Sequence, residues 1–186
     1  MVLHDVRHSR VMARELSYQA THDELTGLFN RREFERQLRI AADSARLDER
    51  GHALCYLDMD QFKVINDTCG HVAGDELLRQ FTALLQKQVR DTDVIARLGG
   101  DEFGILLKHC SVENANRLVT ELIGKVREFR FHWQDRRFDV GVSIRLVAIT
   151  ENNKNVSEIL SAADVACYAA KDAGRNRVHV HSDDDN

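Results

Sequence analysis

The stretch Arg97-Leu98-Gly99-Gly100-Asp101-Glu102-Phe103 lies between two apolar runs, Val94-Ile95-Ala96 and Phe103-Gly104-Ile105-Leu106-Leu107. Two strand-like runs about a Gly-Gly pair predict a β-hairpin, because glycine reaches the positive φ that tight hairpin turns need. A tip without Cβ atoms also lets a bulky ligand approach the backbone. Asp101 and Glu102, beside that gap, offer the hard oxygen donors that Mg²⁺ takes. Backbone access next to carboxylates suits a nucleotide with its metal. Taken alone, such a pattern is more often an ordinary exposed turn.

A second acidic pair lies upstream. Ala53 to Leu57 reads as a buried strand that ends in Asp58-Met59-Asp60. Residues i and i+2 of a strand share a face, so both carboxylates fall on one side if the strand persists. A strand end facing a hairpin tip that carries Asp101 and Glu102 makes a plausible two-metal cradle for phosphoryl transfer. The competing reading is a strand end solvated by acids. Asn66, Asp67, Gly70, His71, Gly74 and Asp75 form a polar, Gly-punctuated turn between two helices. An amide and a carboxylate facing one pocket can pair with a purine edge, although helix caps and an Asx turn explain the same residues. Lys63, Lys171 and Arg175 are candidate phosphate partners. Arg90 and Asp93 suit either an external anion site or a helix-end ion pair.

The remaining chain supplies the frame. Residues 1–22 have helical spacing and little apolar content; they are the end of a helix arriving from an upstream segment or a frayed terminus. Asn30 with Glu33 reads as an N-cap and its capping-box partner, opening a helix that buries Phe34, Leu38, Ala41, Ala42 and Ala45. A short helix from about Gln61 and a longer one from about Gly74 to Val89 follow the first strand. Ser111 caps a long helix running through Phe129. Arg137 to Thr150 reads as one strand, Val156 to Ala173 as a helix stopped by Gly174, and Arg177 to His181 as a last strand. Helices and strands without strict βαβ alternation predict an α+β domain with a mixed, largely antiparallel sheet flanked by helices. The expected division is 1–22 as linker or incoming signalling helix, 23–181 as the domain, and 182–186 as a disordered acidic tail.

Composition narrows the partners. The 186 residues are 43% hydrophobic, enough for one core, and carry a net charge of −4. A mildly acidic chain is a poor tracker of nucleic-acid backbones. No membrane-spanning run and no signal-peptide pattern are seen, so no membrane contact is expected. Cys55, Cys69, Cys110 and Cys167 form no CxxC pair and suit free thiols in a reducing cytoplasm.

Five motifs in register resemble the GGDEF-domain family of diguanylate cyclases. They are Asp23-x-Leu-Thr-Gly-Leu-x-Asn-Arg-Arg32, Leu57-Asp-x-Asp-x-Phe-Lys-x-Ile-Asn-Asp67, Gly70-His-x-x-Gly-Asp75, Arg97-x-Gly-Gly-Asp-Glu-Phe103, and Ala163-Asp164…Tyr168-x-Ala-Lys171…Gly174-Arg-Asn-Arg177. The resemblance implies a nucleotidyl-cyclase or palm-like fold and the condensation of two GTP into cyclic di-GMP with release of pyrophosphate, dependent on Mg²⁺ or Mn²⁺. It also implies that each domain holds one GTP, so that a second GGDEF domain completes the active site as a homodimer. Asp58 and Asp101, with the Met59 carbonyl, are the implied metal donors. Glu102 is the adjacent acid, serving the metal or the deprotonation of the 3′-hydroxyl.

By the same resemblance Asn66 and Asp75 pair with guanine. Phe62, Lys63, Lys171 and Arg175 take the terminal phosphates, and Gly99 and Gly100 make room for the nucleotide. Arg90 and Asp93 match an RxxD site at which cyclic di-GMP inhibits. The departure is Arg145, in Ser143-Ile144-Arg145 where the family reads Ser-Ile-Gly. Glycine in a strand marks a close approach, so this cation either crowds the fold or points to solvent. Two other readings stand beside the cyclase: a module that binds GTP or cyclic di-GMP and regulates a neighbour, and a palm-like enzyme on another nucleotide, against which Asn66 with Asp75 favours guanine.

Overall fold

The computed structural model describes residues 2–47, 51–151, 156–161 and 177–180, with the backbone alone for residues 2–8. Two helices, α1 (Val2–Thr21) and α2 (Arg31–Leu47), precede β1 (His52–Asp60). After β1 come α3 (Phe62–Cys69), α4 (His71–Gln86), the hairpin strands β2 (Val94–Gly99) and β3 (Glu102–Leu107), and α5 (Val112–Glu128). The chain continues through β4 (Arg130–Trp133), β5 (Arg136–Asp139), β6 (Gly141–Ile149) and β7 (Val178–Val180). Among the described residues, five strands form one sheet in the order β2-β3-β1-β6-β7; its β6–β7 pairing is parallel and its other three are antiparallel. The predicted mixed, largely antiparallel α+β sheet is therefore what forms.

The pleat divides the core. Ala53, Cys55, Leu57 and Met59 of β1 join a cluster with Leu77, Phe81 and Leu85 of α4 and Val119, Leu122 and Val126 of α5. Leu54 and Tyr56 turn the other way, to Phe34, Leu38, Ala41, Ala42 and Ala45 of α2. These are the α2 positions that its helical period predicts, and Asn30 caps the helix by accepting the Glu33 N–H at 3.0 Å. The expected capping box does not close, because the Asn30 N–H donates to the Thr21 carbonyl and the Glu33 carboxylate takes Arg36 and Gln37. Gly104 of β3 lets Phe34 lie on the strand: a Cβ there would come within 2.6 Å of the ring. With β1 central and buried along its length, Asp58 emerges at its far end on the α2 face.

Three expectations about element boundaries need correction. α4 begins at His71 rather than Gly74, because Gly70 (φ 87°) reverses the chain in one residue. Gly74 thus ends the first turn of α4 and Asp75 opens the second, so neither lies in a loop. The predicted strand over 137–150 is two strands, broken at the buried Val140. Its alternation runs unbroken through Phe138, Val140, Val142 and Ile144, which conceals a change of partner from β4 to β1. β4 was not expected at all, and Phe129, read as a helix residue, is the extended cap after α5. Of the two readings left open for Arg145, the structure removes the solvent-facing one: the residue is 4% exposed, opposite Tyr56 of β1 and His179 of β7.

Residues 2–21 are helical, and Val11, Met12, Leu16 and Tyr18 are exposed on α1. Of the predicted helix over 156–173, residues 156–161 are described and helical. Lys171, Gly174, Arg175 and the acidic tail lie outside the described residues.

Candidate nucleotide and metal site

The end of β1 and the tip of the β2–β3 hairpin meet in register. Asp58 pairs directly with Glu102 on one side and with Ser143 on the other. Directly opposed residues of antiparallel strands project to the same face, so two carboxylates stand side by side at the sheet's end. The Met59 N–H donates to the Asp101 carbonyl at 3.1 Å, fixing the tip against β1 one residue beyond the ladder. Asp58 is 8% exposed, whereas Asp101 and Glu102 are half-buried. Asp60, two residues on from Asp58, accepts a hydrogen bond from the Ser143 hydroxyl at 3.3 Å.

The turn itself needs glycine for its backbone. Gly99 has φ 146° and Gly100 φ 48°, and the register slips between Arg97 and Gly99. A Cβ on either glycine would meet nothing within 4 Å. Open space therefore lies in front of the tip, next to the carboxylates.

Two arginines grip this turn. Arg97 donates through Nε and Nη2 to the Gly100 carbonyl at 3.0 and 2.9 Å, and through Nη1 to Asp23 at 3.2 Å. Arg31, the first residue of α2, donates through Nε to the Leu98 carbonyl at 3.0 Å, with Nη2 3.6 Å from Glu102. Sequence reasoning found no role for either guanidinium. Arg97 sits 74 residues from Asp23, a separation at which no local spacing rule operates.

Burial alone would raise the Asp23 pKa. Hydrogen bonds from the Thr26 hydroxyl (2.7 Å) and N–H (3.0 Å), together with Arg97, outweigh burial and hold its carboxyl below the usual range.

The α3–α4 pair forms a second part of the site. Asn66 lies against Gly74, where a Cβ would come within 1.9 Å of its Oδ1, and that oxygen is buried without a hydrogen-bond partner. Asp75 follows Gly74 directly and is half-buried. The fold thus brings the two base-reading candidates, nine residues apart in sequence, to one helix junction. Phe62 is partly buried on the core and Lys63 is exposed, both at the start of α3 just beyond Asp60.

Arg90 and Asp93 sit at the other end of β2. Asp93 accepts the N–H groups of Arg90 and Lys108, each at 3.1 Å, and the Arg90 side chain is exposed. A strand rises about 3.3 Å per residue, so this turn stands well away from the Gly-Gly tip. The nearby Cys110 thiol is pushed up by burial and by Asp93, an effect Arg90 opposes.

Among the described residues, no three His, Cys, Asp or Glu side chains gather into a metal cage. Mg²⁺ is usually held by one or two carboxylates, with phosphate oxygens and water completing its shell. The fixed pair Asp58 and Glu102, with Asp101 and the Met59 backbone adjacent, fits such a donor set. A cavity of about 590 Å³ between α1 and α2, lined by residues including Phe29, Arg32 and Arg39, contains none of the predicted site residues.

A family model, the GGDEF domain of diguanylate cyclases, matches residues 20–177. The chain belongs to the GGDEF-domain family. It is 48% identical over 181 residues to a probable diguanylate cyclase, DgcE, of Escherichia coli, covering 97% of this chain and 16% of that one. It is also 37% identical to the cyclic di-GMP phosphodiesterase PdeB of Shewanella oneidensis, over 100% of this chain and 21% of that one. The chain therefore spans about a fifth or less of these two relatives. Among solved structures, the coiled coil and GGDEF domain of DgcB from Caulobacter crescentus, in complex with c-di-GMP, superposes with a TM-score of 0.88 at 27% identity, covering 97% of this chain and 95% of that one.

Proposed function

We propose that this GGDEF domain is a diguanylate cyclase, condensing two GTP into cyclic di-GMP with release of two pyrophosphates. The observation that carries the reading is the pairing of Asp58 with Glu102 beneath a glycine tip held by the Met59–Asp101 backbone bond. In each half-reaction the 3′-oxygen of one GTP bonds to the α-phosphorus of the other, the bond from that phosphorus to the bridging oxygen breaks, and pyrophosphate leaves. A bound Mg²⁺ or Mn²⁺ would neutralise charge on the reacting phosphates. The donors on this chain are Asp58, Asp101, Glu102 and the Met59 carbonyl.

Asn66 and Asp75 hold the guanine edge, which fixes the nucleotide's distance from the tip. Phe62, Lys63, Lys171 and Arg175 receive the terminal phosphates. Gly99 and Gly100 leave room for the nucleotide against the backbone, and Glu102 accepts the 3′-hydroxyl proton. Positioning supplies much of the rate, since phosphoryl transfer asks little covalent chemistry of the protein. One domain presents one such face, so catalysis requires a second GGDEF domain opposite it, in a homodimer. Arg90 and Asp93 form the RxxD product-inhibition site. GTP as substrate points to the cytoplasm; among the described residues no helix is long and apolar enough to cross a membrane.

A second reading is favoured by the relative named as a phosphodiesterase: a GGDEF module that binds GTP or cyclic di-GMP and regulates an adjacent domain. Incubation of the purified domain with GTP and Mg²⁺, followed by chromatography, separates the two. Cyclic di-GMP is the expected product. Its absence at high protein concentration with dimerisation enforced would remove the cyclase reading, and undiminished turnover in Asp101→Ala would remove the metal role of that residue.

A further inference from the structure

The grip of Arg31 on the hairpin has a consequence for the acidic pair. Its backbone is fixed by the cap below it: Asn30 accepts the Glu33 N–H at 3.0 Å and donates through Nδ2 to the Ala20 carbonyl at 3.0 Å. From that anchor the guanidinium spends Nε on the Leu98 carbonyl and leaves Nη2 facing Glu102. Glu102 stands opposite Asp58, and like charges directly opposed across strands repel. Arg31 supplies positive charge to this pair from the α2 side.

Two features make the contact exchangeable. Its length is 3.6 Å, and the side chains are 51% and 36% exposed. Exposed ion pairs of this kind are weak, so a divalent cation can displace Nη2 from Glu102. The bond from Nε to Leu98 does not involve Glu102 and survives the exchange, which keeps the tip in place. Arg97, by contrast, has its guanidinium committed to Gly100 and Asp23 and has no free edge for the acids.

We propose that Arg31 is a resident counter-ion and positioning residue, which occupies Glu102 until a divalent cation takes it and thereby sets how readily the site fills. This rests on Asp58 and Glu102 being cation donors, as the proposed function has them. Arg31 is not itself a ligand of that cation; it competes for Glu102.

The test measures Mn²⁺ binding to the metal-free protein by calorimetry, without nucleotide. Arg31→Gln is expected to bind Mn²⁺ roughly two- to five-fold more tightly than the unmodified chain, the range that loss of one exposed competing charge allows. In a Glu102→Gln background the same substitution is expected to change nothing, since the contested carboxylate is gone. Arg31→Lys keeps the charge but loses the planar fork that serves Leu98 and Glu102 together, so it is expected to fall between the two. If Arg31→Gln does not fold, Arg31→Lys decides: tighter binding supports the inference and equal binding overturns it. Equal or weaker affinity in Arg31→Gln, absence of binding in both proteins, or a difference that persists without Glu102 would also overturn it. The measurement needs no turnover, so a chain that shows the difference yet makes no cyclic di-GMP keeps this inference and loses the cyclase.

Discussion

Arg97 holds Asp23 and the carbonyl of Gly100 with one guanidinium, joining the turn after α1 to the tip of the hairpin. Both side chains of the ion pair are largely buried, 16% and 22% exposed. A lysine at 97 would keep the charge but could not serve both partners in plane. Arg97→Lys is therefore expected to cost about 1–3 kcal/mol, as loss of charge-assisted hydrogen bonds does, and to reduce cyclic di-GMP formation at saturating GTP. Urea midpoints and initial rates check this. A variant that matched the unmodified protein in both would show that the clamp does not hold the tip.

Gly74 separates binding from folding. In an exposed helix Gly→Ala gains up to about 1 kcal/mol, but here the new Cβ would drive Asn66 from its place. Gly74→Ala is expected to weaken GTP binding at least ten-fold while shifting the thermal midpoint little. Equilibrium binding of GTP beside a melting curve reads both. Retained affinity would mean that Asn66 does not read the base.

At the far end of β2 the two RxxD residues should behave differently. Asp93 satisfies two backbone N–H groups, so Asp93→Ala is expected to lose about 1–2 kcal/mol of stability. Arg90 gives Asp93 its backbone N–H, which an alanine keeps, and its side chain is exposed. Arg90→Ala is expected to leave the melting temperature unchanged and to relieve inhibition by added cyclic di-GMP. Inhibition of undiminished strength in that variant would refute the assignment.

What the sequence revealed and what it hid follow from the range of the interactions. The hairpin, the Asn30 cap, the Ser111 cap and the buried stripe of α2 are local, set by φ preferences and periods of two or 3.6 residues. That the acidic end of β1 faces the hairpin tip follows from reading a strand end and a turn; the direct pairing of Asp58 with Glu102 comes only from the register. The start of α4 was missed because Gly74 looked like a loop residue, whereas it is a helix residue that makes room for Asn66. β4 was missed because its Arg130-Phe131-His132-Trp133 alternation is too short to stand out from the helix before it. Arg145 was undecidable since its surroundings come from two other strands. Arg31 and Arg97 act on backbone carbonyls, and carbonyls leave no mark in a sequence.

Acid should unfold this domain partly through Glu33. Its carboxylate takes Arg36 in a two-bond fork at 2.7 and 2.9 Å and Gln37 at 2.9 Å, and the Arg36 bonds are the main reason its pKa falls to about 2. A pKa lowered on folding contributes stability above the unfolded value of 4.5 and loses it as pH drops toward 2. Asp23 acts in the same direction. Glu33→Gln is expected to be less stable near neutral pH and to show a shallower fall in urea midpoint below about pH 4.5. Since Arg36 is more than half exposed, added salt should shrink the difference. Parallel pH profiles for the two proteins would remove Glu33 from the acid transition.

Gly104 tests the packing beneath the site without touching its chemistry. It lies in β3 two residues from Glu102, opposite Tyr56 of β1, and the Phe34 ring rests on it. Phe34 is fully buried, and a Cβ at 104 would stand 2.6 and 2.7 Å from two of its ring carbons. Phe34 sits on α2, so moving its ring aside strains the helix that carries Arg31 and Glu33 one turn or less away. Overpacking of this kind costs about 1–3 kcal/mol. Gly104→Ala is thus expected to lower the unfolding free energy read from urea melts by that amount, and Gly104→Ala with Phe34→Leu to recover part of it, because the smaller side chain makes way for the methyl group. If the double variant were less stable than the sum of the two single changes, the contact between this glycine and Phe34 would not be what fixes α2 on the sheet.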